Sequence, residues 1–99
     1  MVKHIIIWTL KEMPEDEKAK VKEGIKSGLE GLKGLVPQIK DIKVVIDHLP
    51  SSTGDLMLDS TFESAEDLAG YSKHPAHVAV ANEKVRPYTA NRVCLDFEI

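Results

Sequence analysis

Apolar and polar positions along the chain alternate with two different periods, and each change of period marks a change of element. Residues 2–10, VKHIIIWTL, are rich in β-branched and aromatic side chains and predict a strand. Alternation sends Val2, His4, Ile6, Trp8 and Leu10 to one face and Lys3, Ile5, Ile7 and Thr9 to the other. Both faces are therefore largely apolar. From about residue 14 to 34 the period lengthens. Val21, Ile25, Leu29, Leu32 and Val36 recur at helical spacing and predict a core-facing stripe. Pro14 suits a first turn, Glu15, Asp16 and Glu17 suit the positive end of the helix dipole, and Gly34 and Pro37 end the helix. Lys22, Lys26, Glu30 and Lys33 fall on the opposite, solvated side. Gly24, Gly28 and Gly31 share a flank that a neighbouring element can approach closely.

The second half repeats the scheme. IKDIKVVID (39–47) predicts a strand, HLPSSTG (48–54) is turn chemistry, and DLMLDSTFE (55–63) alternates as a third strand with Leu56, Leu58, Ser60 and Phe62 on one side. Ser64, followed by Glu66 and Asp67, predicts a helix start and a short helix through about Tyr71. Pro75 opens another helical piece through about Val85, and Pro87 stops it. NRVCLDFEI (91–99) is the fourth strand, with Val93, Leu95, Phe97 and Ile99 alternating with Arg92, Cys94, Asp96 and Glu98. The order β-α-β-β-α-β predicts a single α+β domain over 1–99: a ferredoxin-like, four-stranded antiparallel sheet with helices on one face.

That architecture leaves one face bare. Whichever side of the first strand the helices take, large apolar groups remain on the other, and a patch of this kind marks an interface or pocket. A second copy of the sheet, packed face to face with two-fold symmetry, is the simplest cover. The expectation is a homodimer whose two sheets enclose a common interior.

Composition changes this picture little. The net charge is −3, and no block of like charge reads as a nucleic-acid or membrane patch. Cys94 is the one cysteine, which excludes an internal disulfide and fits a reducing compartment; its apolar surroundings predict packing. The opening MVKHIIIWTL is too short for a signal peptide or a membrane span, so the expected location is cytoplasmic.

Candidate chemistry is concentrated in YSKHPAH, residues 71–77. His74 precedes a proline and is pushed out of helical geometry, which makes it a candidate N-cap with Pro75 first and His77 third in the next helix. A histidine in a first turn stays neutral more readily, and a neutral imidazole is a general base near neutral pH. Beside it, Tyr71 could orient an enol or phenol. The same stretch also reads as a plain helix junction with a packed tyrosine. No flanking Cys/His set completes a metal shell, so neither metal nor cofactor is expected. On the first strand, His4 is a buried polar group that needs a partner, and Asp96 on the fourth strand is the candidate. His48 reads as a surface residue.

Taken in order, VKHIIIWTLK (2–11), TFES (61–64), YSKHPAH (71–77) and RVCLDFE (92–98) resemble the stress-responsive α/β-barrel domain family, often called Dabb, over nearly the whole chain. The resemblance implies a dimeric α+β barrel. In the family's polyketide cyclases, a His and a Tyr at the positions of His77 and Tyr71 act as acid–base groups in an intramolecular aldol closure. Carried over, His77 would take a proton from the carbon next to a carbonyl, Tyr71 would hold the oxygen, and His4 and Asp96 would line the cavity. Trp8, Leu56 and His74 complete the candidate ligand contacts. Leu56 stands where the cyclases place another histidine, and Gly24, Ile25 and Lys26 occupy the region of a cavity aromatic, which implies a differently shaped cavity. Three readings follow: a homodimer binding a small, partly apolar molecule in the barrel interior, a cofactor-independent cyclase or lyase, and a structural dimer with a filled core.

Overall fold

The alternating stretch Val2–Leu10 forms strand β1 in the computed structural model, which describes residues 1–99. It is followed by α1 (Glu15–Glu30), β2 (Ile39–Val45), β3 (Leu56–Phe62), α2 (Ala65–Lys73), α3 (Pro75–Val80), a π-helical turn (Ala81–Val85) and β4 (Thr89–Glu98). The four strands make one antiparallel sheet in the order β2-β3-β1-β4, a ferredoxin-like arrangement with β1 central.

Helix α1 stops at Glu30 rather than near residue 34. Leu32 N–H donates to Leu29 O at 3.1 Å and Lys33 N–H to Glu30 O at 3.3 Å, three-residue bonds that tighten the chain out of the helix. Gly34 then takes a φ of +93°, which favours glycine. Leu32 and Val36 are nonetheless fully buried, so the apolar stripe runs on through the turns. Of the three aligned glycines only Gly28 marks a close approach to another helix, since a Cβ there would sit 3.1 Å from Val80 Cγ1. Lys26 and Glu30 are also not merely solvated. Lys26 Nζ donates to Val44 O at 2.8 Å, and Val44 N–H donates to Glu30 Oε2 at 2.9 Å. Two helix side chains thus occupy the free edge of β2 and shield it from edge pairing.

The face of β1 that carries His4, Ile6, Trp8 and Leu10 is the one the helices cover, and all four residues are buried. Across it, Trp8 pairs with Leu56, Ile6 with Leu58, His4 with Ser60 and Val2 with Phe62. Ile25 and Leu29 of α1 and Tyr71 of α2 close the core from above. On the other side of β1 the register is inverted in polarity. β4 turns Arg92, Cys94 and Asp96 toward the helix side, opposite Trp8, Ile6 and His4, and turns Val93 and Leu95 outward beside Ile7 and Ile5. Ile7 is 41% exposed, Val93 67%, Leu95 64% and Phe97 42%, a continuous bare apolar surface. No helix of the chain is long and apolar enough to cross a membrane.

Candidate functional site

The junction between α2 and α3 follows from HP. His74 is extended (φ −63°, ψ 133°), Pro75 starts α3, and the His74 Nδ1 accepts the Ala76 N–H at 3.1 Å. His74 is therefore occupied as a cap and does not line the cavity described below, contrary to its expected ligand contact. The turn brings the two outer members of YSKHPAH together. The rings of Tyr71 and His77 lie 4.3 Å apart between centroids, tilted by 42°. Tyr71 rests in turn on Phe62 at 4.9 Å.

Each ring has its proton placed by its surroundings. His77 Nδ1–H donates to Ser72 O at 3.2 Å, which leaves the lone pair on Nε2. Burial pushes the His77 pKa down, the Ser72 bond opposes this, and the charges of His4, Arg86 and Arg92 add to the lowering. The neutrality expected from a helix N-terminus thus has burial as its main cause. Tyr71 is 1% exposed and its hydroxyl has no hydrogen-bond partner. Burial raises its pKa to about 12. At neutral pH the pair presents a phenol that keeps its proton beside an imidazole free to take one.

His4 stands behind this pair, 6.3 Å from Tyr71 between ring centroids. Its Nδ1–H donates to the Asp96 carboxylate, the cross-strand partner expected from the strand pairing. Cys94, expected to pack, is exposed on the polar side of β4, 3.7 Å from the same Nδ1. It donates to Asp96 Oδ1 at 3.5 Å. Desolvation and the Asp96 carboxylate push its thiol pKa up, so the protonated form persists. His4, Cys94 and Asp96 hold donor atoms within 4.8 Å of one another, the one group that could share a metal ion. The raised thiol pKa works against that use, because the ligand form is the thiolate.

His4, Tyr71 and His77 open onto one cavity of about 420 Å³ between the sheet and the helices, within the size range of small-molecule sites. Ile6, Trp8, Leu29 and Leu58 form its apolar wall, and Ala81 and Val85 of the π turn close one side. The π turn rests on the Arg86 N–H bond to Ala81 O at 2.9 Å, a five-residue step that places Arg86 at the rim with Thr89 and Arg92. Leu56 is buried opposite Trp8 and stays outside this cavity, and Asp96 reaches it only through His4. The sequence places the expected ligand in the barrel interior. The four candidates that converge, His4, Trp8, Tyr71 and His77, instead meet on the helix-covered side, inside one protomer. Sequence reasoning missed Arg86 and Arg92. Arg92 was within reach, since strand alternation puts it on the face of Asp96, but Arg86 depends on the π turn.

Comparison with known proteins places this geometry in a family. Residues 2–99 match the model of the stress responsive A/B barrel domain. The chain is 31% identical over 98% of its length to a stress-response A/B barrel domain-containing protein of Arabidopsis thaliana, and spans 36% of that protein. It is similar, with a TM-score of 0.92 and 31% identity, to a dimeric ferredoxin-like protein of unknown function from Bacteroides fragilis, covering 99% of this chain and 95% of that one. A hydroxynitrile lyase from Passiflora edulis shares the fold with a TM-score of 0.74 at 21% identity, covering 99% and 92% of the two chains. The chain belongs to the stress responsive A/B barrel domain family.

Proposed function

We propose that this chain is a homodimer, paired through the bare face of its sheet, in which each protomer binds one small, partly apolar molecule between its sheet and its helices. The observation that carries the binding reading is the Tyr71 hydroxyl. A buried hydroxyl without a partner costs on the order of 1–3 kcal/mol, and a ligand oxygen in the adjoining cavity would satisfy it. The dimer reading rests on the exposure of Ile7, Val93, Leu95 and Phe97 and on relatives described as dimeric.

The test is a thermal-shift screen of small phenols and β-diketones against the wild type and Ala81→Leu, which fills the cavity and leaves every polar group in place. A ligand bound only to the folded state raises the melting temperature, by about 2.7 kcal/mol of stabilisation at a hundredfold excess over Kd. Hits that shift the wild type and spare the variant support the site. Equal shifts in both proteins put the binding elsewhere.

The close Tyr71–His77 pair favours a second reading, cofactor-independent proton transfer next to a carbonyl. His77 Nε2 takes the proton from the carbon, and the Tyr71 O–H donates a hydrogen bond to the enolate oxygen that forms. Deuterium exchange at the α-carbon of a bound ketone, followed by proton NMR, tests it. Exchange as fast in His77→Gln as in the wild type rules it out.

A further inference from the structure

The chain has two arginines, Arg86 and Arg92, and both line the same cavity. They come from different elements, one just past the π turn and one on β4. Neither is in an ion pair: all five ion pairs of the protomer use lysine or histidine as the cation. Arg86 Nη1 donates to the neutral Asn82 Oδ1 at 2.6 Å. Asp96, on the same face of β4 as Arg92, is already engaged by His4 and Cys94. Two guanidinium groups without a counter-charge therefore stand at the rim of a pocket whose wall is apolar and whose interior holds an unpartnered phenol.

Resting on the proposed binding role, we propose that the ligand is a small aromatic or enolic carboxylate. Its carboxylate is held at the rim by Arg86 and Arg92, its ring lies against Ile6, Trp8 and Leu58, and a ring or enol oxygen reaches the Tyr71 hydroxyl. Guanidinium is suited to this task because its planar donor fork matches a carboxylate and never loses its charge. A carboxylate is favoured over a phosphate ester because the lining holds neither a lysine nor a glycine-rich backbone cradle. The rim arginines also decide orientation, since the charged end must stay near solvent while the apolar end enters.

Calorimetric titration with 2-hydroxybenzoate, its methyl ester and phenyl phosphate tests the assignment on the wild type, Arg86→Gln, Arg92→Gln and Arg92→Lys. The acid should bind at least about tenfold more tightly than the ester, as expected for a charge-assisted hydrogen bond. Each glutamine variant should lose most of that preference while leaving ester affinity unchanged, and Arg92→Lys should retain part of it. Both arginines are exposed, so the variants should melt with the wild type, which differential scanning checks. Acid and ester binding equally overturns the carboxylate assignment but leaves the binding role standing. Phenyl phosphate binding more tightly than the acid also overturns it, in favour of a phosphate ligand. Failure of all three compounds to bind overturns both the assignment and the binding role.

Discussion

The two faces of one sheet carry similar amounts of apolar side chain and meet different fates. On the helix side, Ile6, Trp8, Leu58 and Phe62 are buried by α1 and α2, and His4 and Ser60 among them have hydrogen-bond partners. On the far side, Ile7, Val93, Leu95 and Phe97 face solvent in the protomer, with Lys3–Asp59 at 2.8 Å the ion pair that crosses the patch. β4 makes the contrast plain, because this edge strand turns its charged residues toward its own core side and its apolar ones away from it. A strand patterned in that way is built for a cover outside the protomer. Under the proposed function the difference separates two tasks: the bare face would pair with a second copy, and the covered face holds the cavity.

The largest expected effect is on assembly. Val93→Asp with Leu95→Asp places two charges in the middle of the bare patch, where desolvating them costs several kcal/mol. Sedimentation velocity should show the dimer lost, with the far-UV spectrum unchanged. A dimer that survives would mean the sheets do not meet there. Next, Phe62→Ala on the covered face should cost about 3–5 kcal/mol in urea unfolding, because Phe62 is fully buried beneath Tyr71. A loss near zero would show that the two faces are equally soft.

Smaller effects sharpen the site within the covered face. Tyr71→Phe removes a hydroxyl without a partner, so it should stabilise the unliganded protein by about 1 kcal/mol while weakening any ligand that uses that hydroxyl. The sign of its pH dependence follows from the raised pKa. The folded state holds the phenol proton up to about pH 12, while the unfolded state releases it near 10, so stability is full below 10 and is lost as pH rises through 12. The variant should lack this alkaline limb. For His77 the folded pKa lies below 6.5, so stability is full above that value and falls as acid titrates the ring. His77→Gln should flatten that acid limb and melt within about 0.5 kcal/mol of the wild type at pH 8, as replacement of a group with little core role does. A large loss at pH 8 would make His77 a structural residue.

The strands were readable because period-two alternation is a local property. Val2–Leu10 has the bounds that its residues predict, and Ser64 caps α2 by accepting the Asp67 N–H at 3.1 Å. The His4–Asp96 contact was also readable, since strand pairing alone puts those positions side by side. Cys94 was misread because its apolar neighbours lie on the opposite face of the strand, and an edge strand leaves its polar face open. Leu56 and His74 carried the right chemistry in the wrong place. One is covered by Trp8 across the sheet, and the other is engaged by the backbone it caps.

By itself, the sequence determined the order of elements, the residues that share each strand face, and the presence of more apolar surface than one protomer can cover. Only the tertiary structure decided which face the helices take, because alternation sorts residues into two sets without saying which set is inside. It also decided that Arg86 and Arg92 meet at one rim, because a π turn shifts the chain by a residue through packing that no local pattern encodes.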